Sequence, residues 1–280
     1  MVKTAVALGT FDGVHLGHRA VIENVVTSPY RRVAVTFVVP PKALLGKSTG
    51  VITSAWQRRE LLKGCGIDAV EFLDFNSCKD MSPLDFLKDL KDRYNCALIS
   101  CGFNYRFGKD GAGETALLAD FCSKNGIELK VVDPVCENVT VVSSSFLRSD
   151  LQQGRVETVK RLCGYNFGFS AEIVHGDARG RTIGFPTVNQ IYPDELVKVK
   201  FGVYKSVVTV NGKSYNAITN IGVRPTFKTD FVSAETHIIG FNGDVYGCIA
   251  DLRLIKFIRD EKKFDSLDEL KQAIKNDLQN

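Results

Sequence analysis

Two histidines near the start of the chain, His15 and His18, have the spacing that two imidazoles need to act on one phosphate group. They follow the apolar run 5–8 and a glycine-containing turn, residues 9–13. A strand, a turn and a helix N-terminus together attract anions, because free backbone N–H groups and the helix dipole both favour phosphate. Residues three apart share one face of a helix, so both rings can donate hydrogen bonds to charge that develops on a phosphate. The alternative is a strand-to-helix turn whose histidines only cap the helix or face solvent.

A second polar segment, residues 174–189, is too particular in its glycines and arginines for an ordinary hairpin turn. Its three glycines and two arginines can wrap a polyphosphate through backbone N–H groups and positive charge. Thr187 and Asn189 follow as oxygen ligands, and residues at this spacing share one face of a strand, so both can reach one Mg²⁺. The segment lacks the Gly-x-x-x-x-Gly-Lys-Ser/Thr sequence of a P-loop. A polar loop of a barrel is the competing interpretation.

Glu235 is a candidate general base in the segment 233–238, where a strand is expected. A carboxylate beside a bound alcohol can accept the proton that phosphoryl transfer releases. Most glutamates in strands are only solvated, so the residue type alone does not establish this role.

Two segments of the first half carry groups that suit a nucleotide or a planar ring. Residues 143–148 place three serines and Arg148 at a predicted helix start, where they can hold phosphates. A serine-rich N-cap followed by a solvated arginine has the same sequence. Residues 100–111 mix aromatic side chains with Asn104 and Arg106, which suits the face and the edge of a flat ring. A glycine-rich loop with two core aromatic residues remains the alternative there.

The composition argues against several classes of protein. The chain has 280 residues, enough for two domains, of which 44% are hydrophobic and 24% charged. No apolar run is long enough to cross a bilayer and no signal peptide is visible, so we expect a cytoplasmic protein without a membrane partner. Lys and Arg number 36 against 32 Asp and Glu, without a basic block, which argues against a nucleic-acid partner. The 8 cysteines contain no Cys-x-x-Cys pair, which favours reduced, mostly buried thiols over a zinc site or a disulfide framework.

The elements that must position these groups differ between the two halves of the chain. Up to about residue 160, short apolar runs alternate with helical patterns, which predicts a parallel sheet whose ligands collect beyond the carboxyl ends of its strands. His15 and His18 are expected at that edge. The predicted strands are Ala5–Leu8, Val33–Val38, Ala69–Leu73, Ala97–Cys101 and Ile127–Val132. The predicted helices have recognisable ends, namely a capping box from Ser54 to Gln57, an N-cap at Ser82 and a stop at Gly126.

From about residue 163 the pattern changes to alternating strands, which predicts an antiparallel sheet or a small closed barrel. The clearest strands are Val203–Val210, Ser214–Thr219 and Ala250–Ile255, with turn signals at Asn211-Gly212 and Asn242-Gly243. An amphipathic helix is expected at the end of the chain, with Ser266 as N-cap and Glu269 completing a capping box. Its apolar stripe comprises Leu267, Leu270, Ile274 and Leu278. A helical segment, 150–164, joins the two halves.

Taken in order, these segments resemble the bacterial bifunctional riboflavin kinase/FMN adenylyltransferases, also called FAD synthetases. The Gly-Thr-Phe-Asp-Gly-Val-His-Leu-Gly-His segment is similar to the nucleotidyltransferase signature, and it is followed by motifs at residues 102–109, 143–148, 180–189, 220–227, 235–247 and 258–264. The resemblance covers nearly the whole chain. It implies a Rossmann-like nucleotidyltransferase domain over residues 1–162, then a riboflavin kinase domain over 163–280, built as a six-stranded antiparallel β-barrel with a C-terminal helix.

In the first domain the resemblance implies that His15 and His18 bind ATP phosphates while the phosphate of FMN attacks the α-phosphorus. Asn104 and Arg106 are implied to contact the flavin. The residues implied to bind ATP, besides the two histidines, are Gly9, Phe11, Asp12, Ser144, Ser145 and Arg148.

In the second domain Thr187 and Asn189 are implied to ligate Mg²⁺, and Glu235 to take the proton of the riboflavin 5′-hydroxyl. The residues implied to bind ATP are Gly176, Arg181, Gly184, Pro186, Thr187 and Asn189. The expected small molecules are therefore riboflavin, FMN, FAD, ATP and Mg²⁺.

Two positions depart from the family pattern, both in the first half. Residues 36–41 read Thr-Phe-Val-Val-Pro-Pro, without a histidine that the family commonly has there. Ser145 and Phe146 replace a threonine and an arginine, so one positive charge is missing. We therefore expect adenylyl transfer to be slower, or its affinity for ATP to be lower, than in typical members. A chain with only one active half, the kinase, and a flavin- or nucleotide-binding regulator are the alternatives.

Overall fold

The computed structural model describes residues 2–176, 184–224, 231–262, 264 and 266–278, in two compact units, Met1–Leu147 and Arg148–Asn280. The first unit contains a five-stranded parallel sheet in the order β3-β2-β1-β4-β5. Its strands are β1 (Thr4–Leu8), β2 (Arg31–Phe37), β3 (Ala69–Leu73), β4 (Cys96–Gly102) and β5 (Glu128–Val132). All five predicted strands are therefore confirmed: the ends of β3 are the predicted ones, and no end of the others is shifted by more than two residues.

Helices lie between these strands and after the last of them, and the helix ends that the sequence predicted at Ser54, Ser82 and Gly126 are confirmed. They are α1 (Leu16–Val26), α2 (Pro41–Leu44), α3 (Ala55–Gly64), α4 (Phe75–Cys78), α5 (Pro83–Tyr94), α6 (Thr115–Asn125) and α7 (Ser144–Gln152). Ser54 and Gln57 form the predicted capping box, and Ser82 Oγ accepts from the backbone N–H of Asp85 at 3.1 Å. Gly126 ends α6 with a φ of +65°, a conformation that favours glycine. A small hairpin, β6 (Cys136–Glu137) with β7 (Thr140–Val141), precedes α7.

The parallel sheet is covered on both faces, which explains the continuous apolar sequence of its central strand. All five residues of β1 are buried. Val6 and Leu8 pack into one hydrophobic cluster, while Ala5 and Ala7 pack into another. Alternate residues of a strand point to opposite faces, so burial on both sides accounts for the apolar run Ala5–Leu8, while the buried Thr4 at the start of β1 donates its hydroxyl to the carbonyl oxygen of Tyr94 at 2.7 Å.

The second unit contains a closed six-stranded barrel in the order β10-β11-β12-β9-β8-β13. Its strands are β8 (Gly168–Val174), β9 (Val188–Ile191), β10 (Gly202–Val210), β11 (Lys213–Arg224), β12 (Phe231–Ile238) and β13 (Ile249–Arg259). All neighbours are antiparallel. Of the two architectures that the sequence left open, the closed barrel is the one formed.

The two Asn-Gly turn signals have different outcomes. Asn211 and Gly212, with φ of 51° and 74°, join β10 to β11 as a two-residue hairpin turn. Asn242-Gly243 does not form such a turn but lies within the longer connection 239–248 between β12 and β13. The positive φ values in that connection occur at Gly240 and Gly247 instead.

The ends of the barrel unit are helical. After α7, α8 (Val156–Cys163) packs against β13, and the backbone N–H of Lys200 donates to the carbonyl of Leu151 at 3.0 Å. The two compact units thus divide between Leu147 and Arg148, before the predicted domain limit between residues 162 and 163. That limit rests on the change of sequence pattern and stays a prediction. The C-terminal helix, Leu267–Asp277, has the predicted N-cap: Ser266 Oγ accepts from the N–H of Glu269 at 3.2 Å. The side chains of Leu267, Leu270 and Ile274 lie outside the described residues.

Candidate active sites

His15 and His18 lie together just beyond the carboxyl end of β1. His15 is the N-cap of α1, and its Nδ1 accepts from the backbone N–H of His18 at 3.4 Å. The two rings stack with centroids 3.7 Å apart and 19° between their planes. The sheet order reverses between β1 and β4, the place where open parallel sheets bind ligands. The predicted shared face and sheet edge are confirmed, and His15 caps the helix as well.

The environment of His18 keeps its ring neutral. Its Nδ1 is buried and has no hydrogen-bond partner among the described residues. Burial, followed by the nearby His15 and the positive charge of Arg58, lowers the pKa of His18 well below the usual 6.5. A neutral imidazole donates through one nitrogen and accepts through the other. His18 can therefore offer one hydrogen bond to a ligand near pH 7 but does not bring a charge.

Arg58, which the sequence analysis did not single out, supplies a positive charge in the first unit. Its side chain is 0% exposed on the first turn of α3, and Nη2 donates to the carbonyl oxygens of Phe37 and Val38 at 2.6 and 2.7 Å. Nε and Nη1 have no hydrogen-bond partner among the described residues. Burial lowers the pKa of this guanidinium and Asp12 raises it, but an arginine remains charged in a protein. The sequence did carry a signal of this burial. Arg58 lies four residues before the apolar Leu62, so both share the buried face of α3.

Phe11 and Asp12 shape the turn that carries the histidines. Asp12 Oδ1 accepts from the backbone N–H groups of Ile52 and Thr53 at 2.8 and 3.1 Å, so it fastens the turn to the segment before α3. The ring of Phe11 is fully buried and covers Gly9, where a Cβ atom would lie 3.1 Å from it. The ring also meets His18 edge to face. Contact of these side chains with ATP stays a prediction.

The serine segment meets the histidine turn. Ser144 Oγ donates to the carbonyl oxygen of Asp12 at 2.8 Å. Ser143 Oγ accepts from the N–H of Phe146 at 3.2 Å in the manner of an N-cap, while Ser145 is exposed. Arg148, one turn further along α7, is buried within the second compact unit. Its role toward ATP stays a prediction.

The segment after β4 combines a packed part and an exposed part. The rings of Tyr105 and Phe107 stack with centroids 5.7 Å apart and belong to the core cluster of the sheet, as the loop interpretation predicted. Asn104 and Arg106 are exposed, and Arg106 pairs with Glu114. Asn104 follows the carboxyl end of β4, the same sheet edge that carries His15.

In the second unit the three predicted catalytic and metal-binding residues come together at two neighbouring strands, with Thr187 just before β9. Glu235 on β12 lies opposite Asn189 on β9. Thr187, two residues before Asn189, donates its hydroxyl to Glu235 Oε1 at 2.8 Å. Asn189 is 4% exposed, and its Oδ1 has no hydrogen-bond partner within the described ranges. The predicted common face of Thr187 and Asn189 is thus confirmed, and it includes Glu235.

Further residues surround this cluster. Arg224 Nη2 lies 3.8 Å from Glu235 Oε2, so a cation faces the oxygen that Thr187 does not contact. The Nδ1 of His237 lies 2.9 Å from the carbonyl oxygen of Pro186, which fixes the residue before Thr187. The sequence motifs contained Arg224 and His237 but assigned no role to either.

The predicted ATP-binding loop of the barrel is only partly described. Gly176 lies against the amide of Asn189, where a Cβ atom would collide with Nδ2, so a side chain does not fit. Gly184 has a φ of +86° and is exposed. Arg181 lies in the segment 177–183, outside the described residues, and its predicted contact with ATP stays a prediction.

Comparisons with known proteins assign an activity class to each half of the chain. Residues 163–280 match the family model described as riboflavin kinase, and residues 2–146 match that described as FAD synthetase. A bifunctional riboflavin kinase/FMN adenylyltransferase of Bacillus subtilis (strain 168) is 34% identical over 99% of this chain and 91% of its own length. The chain belongs to this bifunctional family. The member from Escherichia coli (strain K12) is 32% identical over 96% of this chain and 89% of its own length.

A solved structure shares the fold of this family member over nearly its whole length. That protein, from Streptococcus pneumoniae, is described as a macrolide-efflux protein, and it aligns with a TM-score of 0.90 and 29% identity over 99% of this chain and 93% of its own. In the part of the present chain that the structure describes, no helix is long and apolar enough to cross a membrane.

Arg58 lies next to one of the two departures from the family pattern. Val38 and Val39, where the family commonly has a histidine nearby, are 52% and 38% exposed. The guanidinium of Arg58 binds the carbonyl groups of Phe37 and Val38 at the start of this segment. This FAD synthetase homologue therefore keeps a buried cation beside the position where the histidine is missing.

The barrel residues fit a hard divalent cation. The Thr187 hydroxyl donates its hydrogen bond to Glu235, which leaves the lone pairs of Oγ1 available to a cation. Asn189 Oδ1 is a buried acceptor without a donor among the described residues. The described residues include no group of three or more His, Cys, Asp or Glu that could hold a metal by themselves. Mg²⁺ does not require such a group, because it commonly keeps several waters and binds substrate phosphates with few protein ligands.

Proposed function

We propose that the two halves of this chain carry out consecutive steps of FAD synthesis at the sites described. The barrel transfers the γ-phosphoryl group of ATP to the 5′-hydroxyl of riboflavin, which gives FMN and ADP. The α/β unit then joins FMN to the AMP part of a second ATP, which gives FAD and pyrophosphate. The family models and the bifunctional relatives support both activities.

The hydrogen bond between Thr187 and Glu235 carries the assignment of the kinase site. It holds one carboxylate oxygen in place, so that Glu235 can accept the proton that leaves the riboflavin hydroxyl as it attacks phosphorus. Arg224 Nη2 lies 3.8 Å from Oε2, so a cation faces the other carboxylate oxygen. A flavin- or nucleotide-binding regulator would not need a base held beside two metal-type ligands.

Thr187 and Asn189 are the residues proposed to hold Mg²⁺. The bound ion would neutralise charge on the phosphates of ATP. The protein supplies two neutral oxygens from one strand end, and the glycine at position 176 leaves room for the amide of Asn189.

At the adenylyl-transfer site the chain has to position two phosphates and stabilise charge, because the phosphate oxygen of FMN is itself the nucleophile. His15 and His18 lie at a helix N-terminus, which favours anions through its free N–H groups and dipole. Neutral His18 offers a hydrogen bond, and the buried Arg58 adds a positive charge that does not depend on pH in the physiological range. No covalent intermediate is required. Asn104, exposed at the same sheet edge, is proposed to contact the flavin.

The experiment is to incubate the protein with riboflavin, ATP and Mg²⁺ and to separate the flavins by chromatography over time. We expect FMN to appear first and FAD to follow. FMN without FAD would limit the chain to the kinase activity. The missing histidine in residues 36–41 and the missing arginine at Phe146 would then account for the inactive first half. Absence of both products would favour the binding protein. Omission of Mg²⁺ should stop FMN formation, and activity that persists in a chelator would contradict the proposed metal role.

The partners proposed are small molecules only, namely riboflavin, FMN and ATP, with neither a nucleic acid nor a membrane. A cytoplasmic location is proposed because both steps consume ATP. The eight cysteines are free thiols in the structure, which agrees with a reducing compartment.

A further inference from the structure

The row of side chains around Glu235 extends beyond the residues assigned so far. In the barrel register, Glu235 has Asn189 of β9 on one side and Asn220 of β11 on the other. Directly opposed residues of antiparallel strands point to the same face of the sheet. Asn220 therefore belongs to the same surface of the barrel as the proposed base, on the side away from the metal ligands.

Glu261 fixes the orientation of the Asn220 amide. Asn220 Nδ2 donates to Glu261 Oε1 at 2.9 Å. A carboxylate only accepts hydrogen bonds, so the NH₂ group must face Glu261 and the oxygen of the amide must point the other way. Glu261 reaches this position across Gly222, where a Cβ atom would collide with Oε1. The hydrogen bond between Asn220 and Glu261 therefore depends on the absence of a side chain at position 222.

Asn220 Oδ1 is buried and has no hydrogen-bond partner within the described part of the chain. Such an acceptor is costly to leave unsatisfied, which points to a donor that binds there. Asn189 Oδ1, the proposed metal ligand, is in the same condition. The phosphate oxygens of ATP cannot satisfy Asn220 Oδ1, since they are acceptors themselves.

A hydroxyl of the alcohol substrate meets the requirement. Thr187 and Asn189 lie on the side of Glu235 that faces β9, so the alcohol is expected to approach from the side of β11, where Asn220 and Arg224 lie. The side chain of riboflavin carries three secondary hydroxyls next to the terminal hydroxyl that is phosphorylated. Each of them is a hydrogen-bond donor one or a few carbons from the reacting oxygen.

We propose that Asn220 Oδ1 accepts a hydrogen bond from a secondary hydroxyl of the substrate's polyol chain, and that Glu261 is a positioning residue which keeps this oxygen facing the substrate. The inference rests on the proposed riboflavin kinase activity and extends it to substrate selection. The barrel then distinguishes a polyol from a simple alkyl alcohol attached to the same ring system. Asn220 binds substrate and takes no part in proton transfer.

The test compares two alcohols in wild type and Asn220→Ala. One is riboflavin, and the other is a flavin whose five-carbon side chain carries only the terminal hydroxyl. For riboflavin we expect Asn220→Ala to lower kcat/KM about tenfold, mostly through a higher KM for the flavin, because one substrate hydrogen bond is lost. The KM for ATP and the kcat/KM for the simpler alcohol should change little. An equal loss with both alcohols would overturn the proposal and make Asn220 a structural residue.

Two controls make this comparison specific. Asn216→Ala alters an exposed asparagine of the same strand and should leave both substrates unaffected. The conversion of FMN to FAD by the same proteins shows that the first half of the chain is intact. If wild type phosphorylates neither alcohol, the proposed kinase function itself fails, and the inference falls with it.

A polarity swap tests the positioning role of Glu261. In Asn220→Asp two carboxylates face each other, and in Glu261→Gln the two amides can pair in either orientation, so each single variant should bind riboflavin more weakly. When both substitutions are combined, the new amide at position 261 can donate to the new carboxylate at position 220, which restores an acceptor toward the substrate with the same net charge. We expect the double variant to be more active than either single one. Additive losses would contradict the positioning role.

Discussion

The residues of the proposed adenylyl-transfer site divide two tasks between them. His18 is held neutral by burial, by His15 and by the charge of Arg58, so its proposed task is to orient a phosphate through a hydrogen bond. Arg58 supplies charge and is itself fixed by the carbonyl oxygens at the end of β2. The buried cation of this half is therefore held beside the segment 36–41, where the histidine of the family pattern is missing.

The neutral state of His18 predicts a specific dependence of stability on pH. Below its usual pKa of 6.5 the unfolded chain binds a proton that folded His18 does not, so the free energy of unfolding falls as the pH drops from 6.5 toward the lowered pKa. The slope for one such group is at most about 1.4 kcal/mol per pH unit. Urea unfolding at pH values of about 7.5 and about 5.5, on either side of the usual histidine pKa, can be followed by the single tryptophan, Trp56, which lies in the first unit.

The matched variant is His18→Asn in the same assay. It should lose part of the acid sensitivity and most of the FMN-to-FAD activity, while riboflavin phosphorylation continues. An unchanged pH dependence would mean that His18 is not held neutral in the folded protein.

Glu235→Gln should abolish the formation of FMN from riboflavin because an amide cannot accept the proton of the hydroxyl. The conversion of added FMN to FAD should remain at the wild-type rate. Glu172→Gln, which alters an exposed glutamate of barrel strand β8, serves as the control and should change neither activity. Loss of both activities in the folded Glu235→Gln protein would contradict separate sites.

At the scale of elements, the N-terminal site depends on the way in which α3 is anchored. Its capping box fixes the first turn, and Asp12 binds the two residues that precede Ser54. Arg58 then reaches from this turn to the end of β2. The helix therefore connects the histidine turn to the neighbouring strand through two polar contacts.

Arg58→Met should test this connection against Arg59→Met, its exposed neighbour. Removal of the buried guanidinium leaves two carbonyl groups without their donor, at a cost of about 1–3 kcal/mol for each buried group. We expect lower stability of the first unit in the Trp56 assay and a higher KM for ATP in FAD formation. Arg59, which lies 5.0 Å from the Phe72 ring centroid, is exposed, so its removal should cost well under half of that. Equal effects of the two substitutions would contradict the special role of Arg58.

At the scale of the whole molecule, the central residues proposed for each activity lie in one compact unit, although Arg148, predicted to bind ATP for adenylyl transfer, belongs to the second. The proposed kinase residues Thr187, Asn189 and Glu235 are in the second unit, and the residues proposed for adenylyl transfer, His15, His18 and Arg58, are in the first. FMN is the product of one site and the substrate of the other. This predicts that two differently inactivated proteins can complete the synthesis together.

A mixture of Glu235→Gln and His18→Asn proteins should convert riboflavin to FAD, although neither protein does so alone. The intermediate has to pass through solution, so FMN should accumulate first and the FAD rate should rise with enzyme concentration. Chromatography of the flavins measures both. If each variant keeps its own half-reaction but the mixture makes no FAD, released FMN is not a substrate of the second site.

The sequence by itself determined the local features of this protein. The strands of the parallel sheet were visible as short apolar runs. The capping box at Ser54, the stop at Gly126 and the hairpin at Asn211-Gly212 follow from contacts between residues close in the chain. The order of motifs determined the family for the same reason, because each motif is a short contiguous segment. The signal at Asn242-Gly243 failed because a turn dipeptide also occurs within longer connections.

Only the tertiary structure decided which polar groups complete each site. Arg58 is joined to Phe37, Asn220 to Glu261 and Asp12 to Thr53 by hydrogen bonds between residues far apart in the chain. No periodicity or spacing encodes such pairs, since they arise when strands and helices pack and bury a polar group that must then find a partner. The chemistry of the motifs could therefore be read residue by residue, whereas the charge beside His18 and the oriented amide beside Glu235 required the fold.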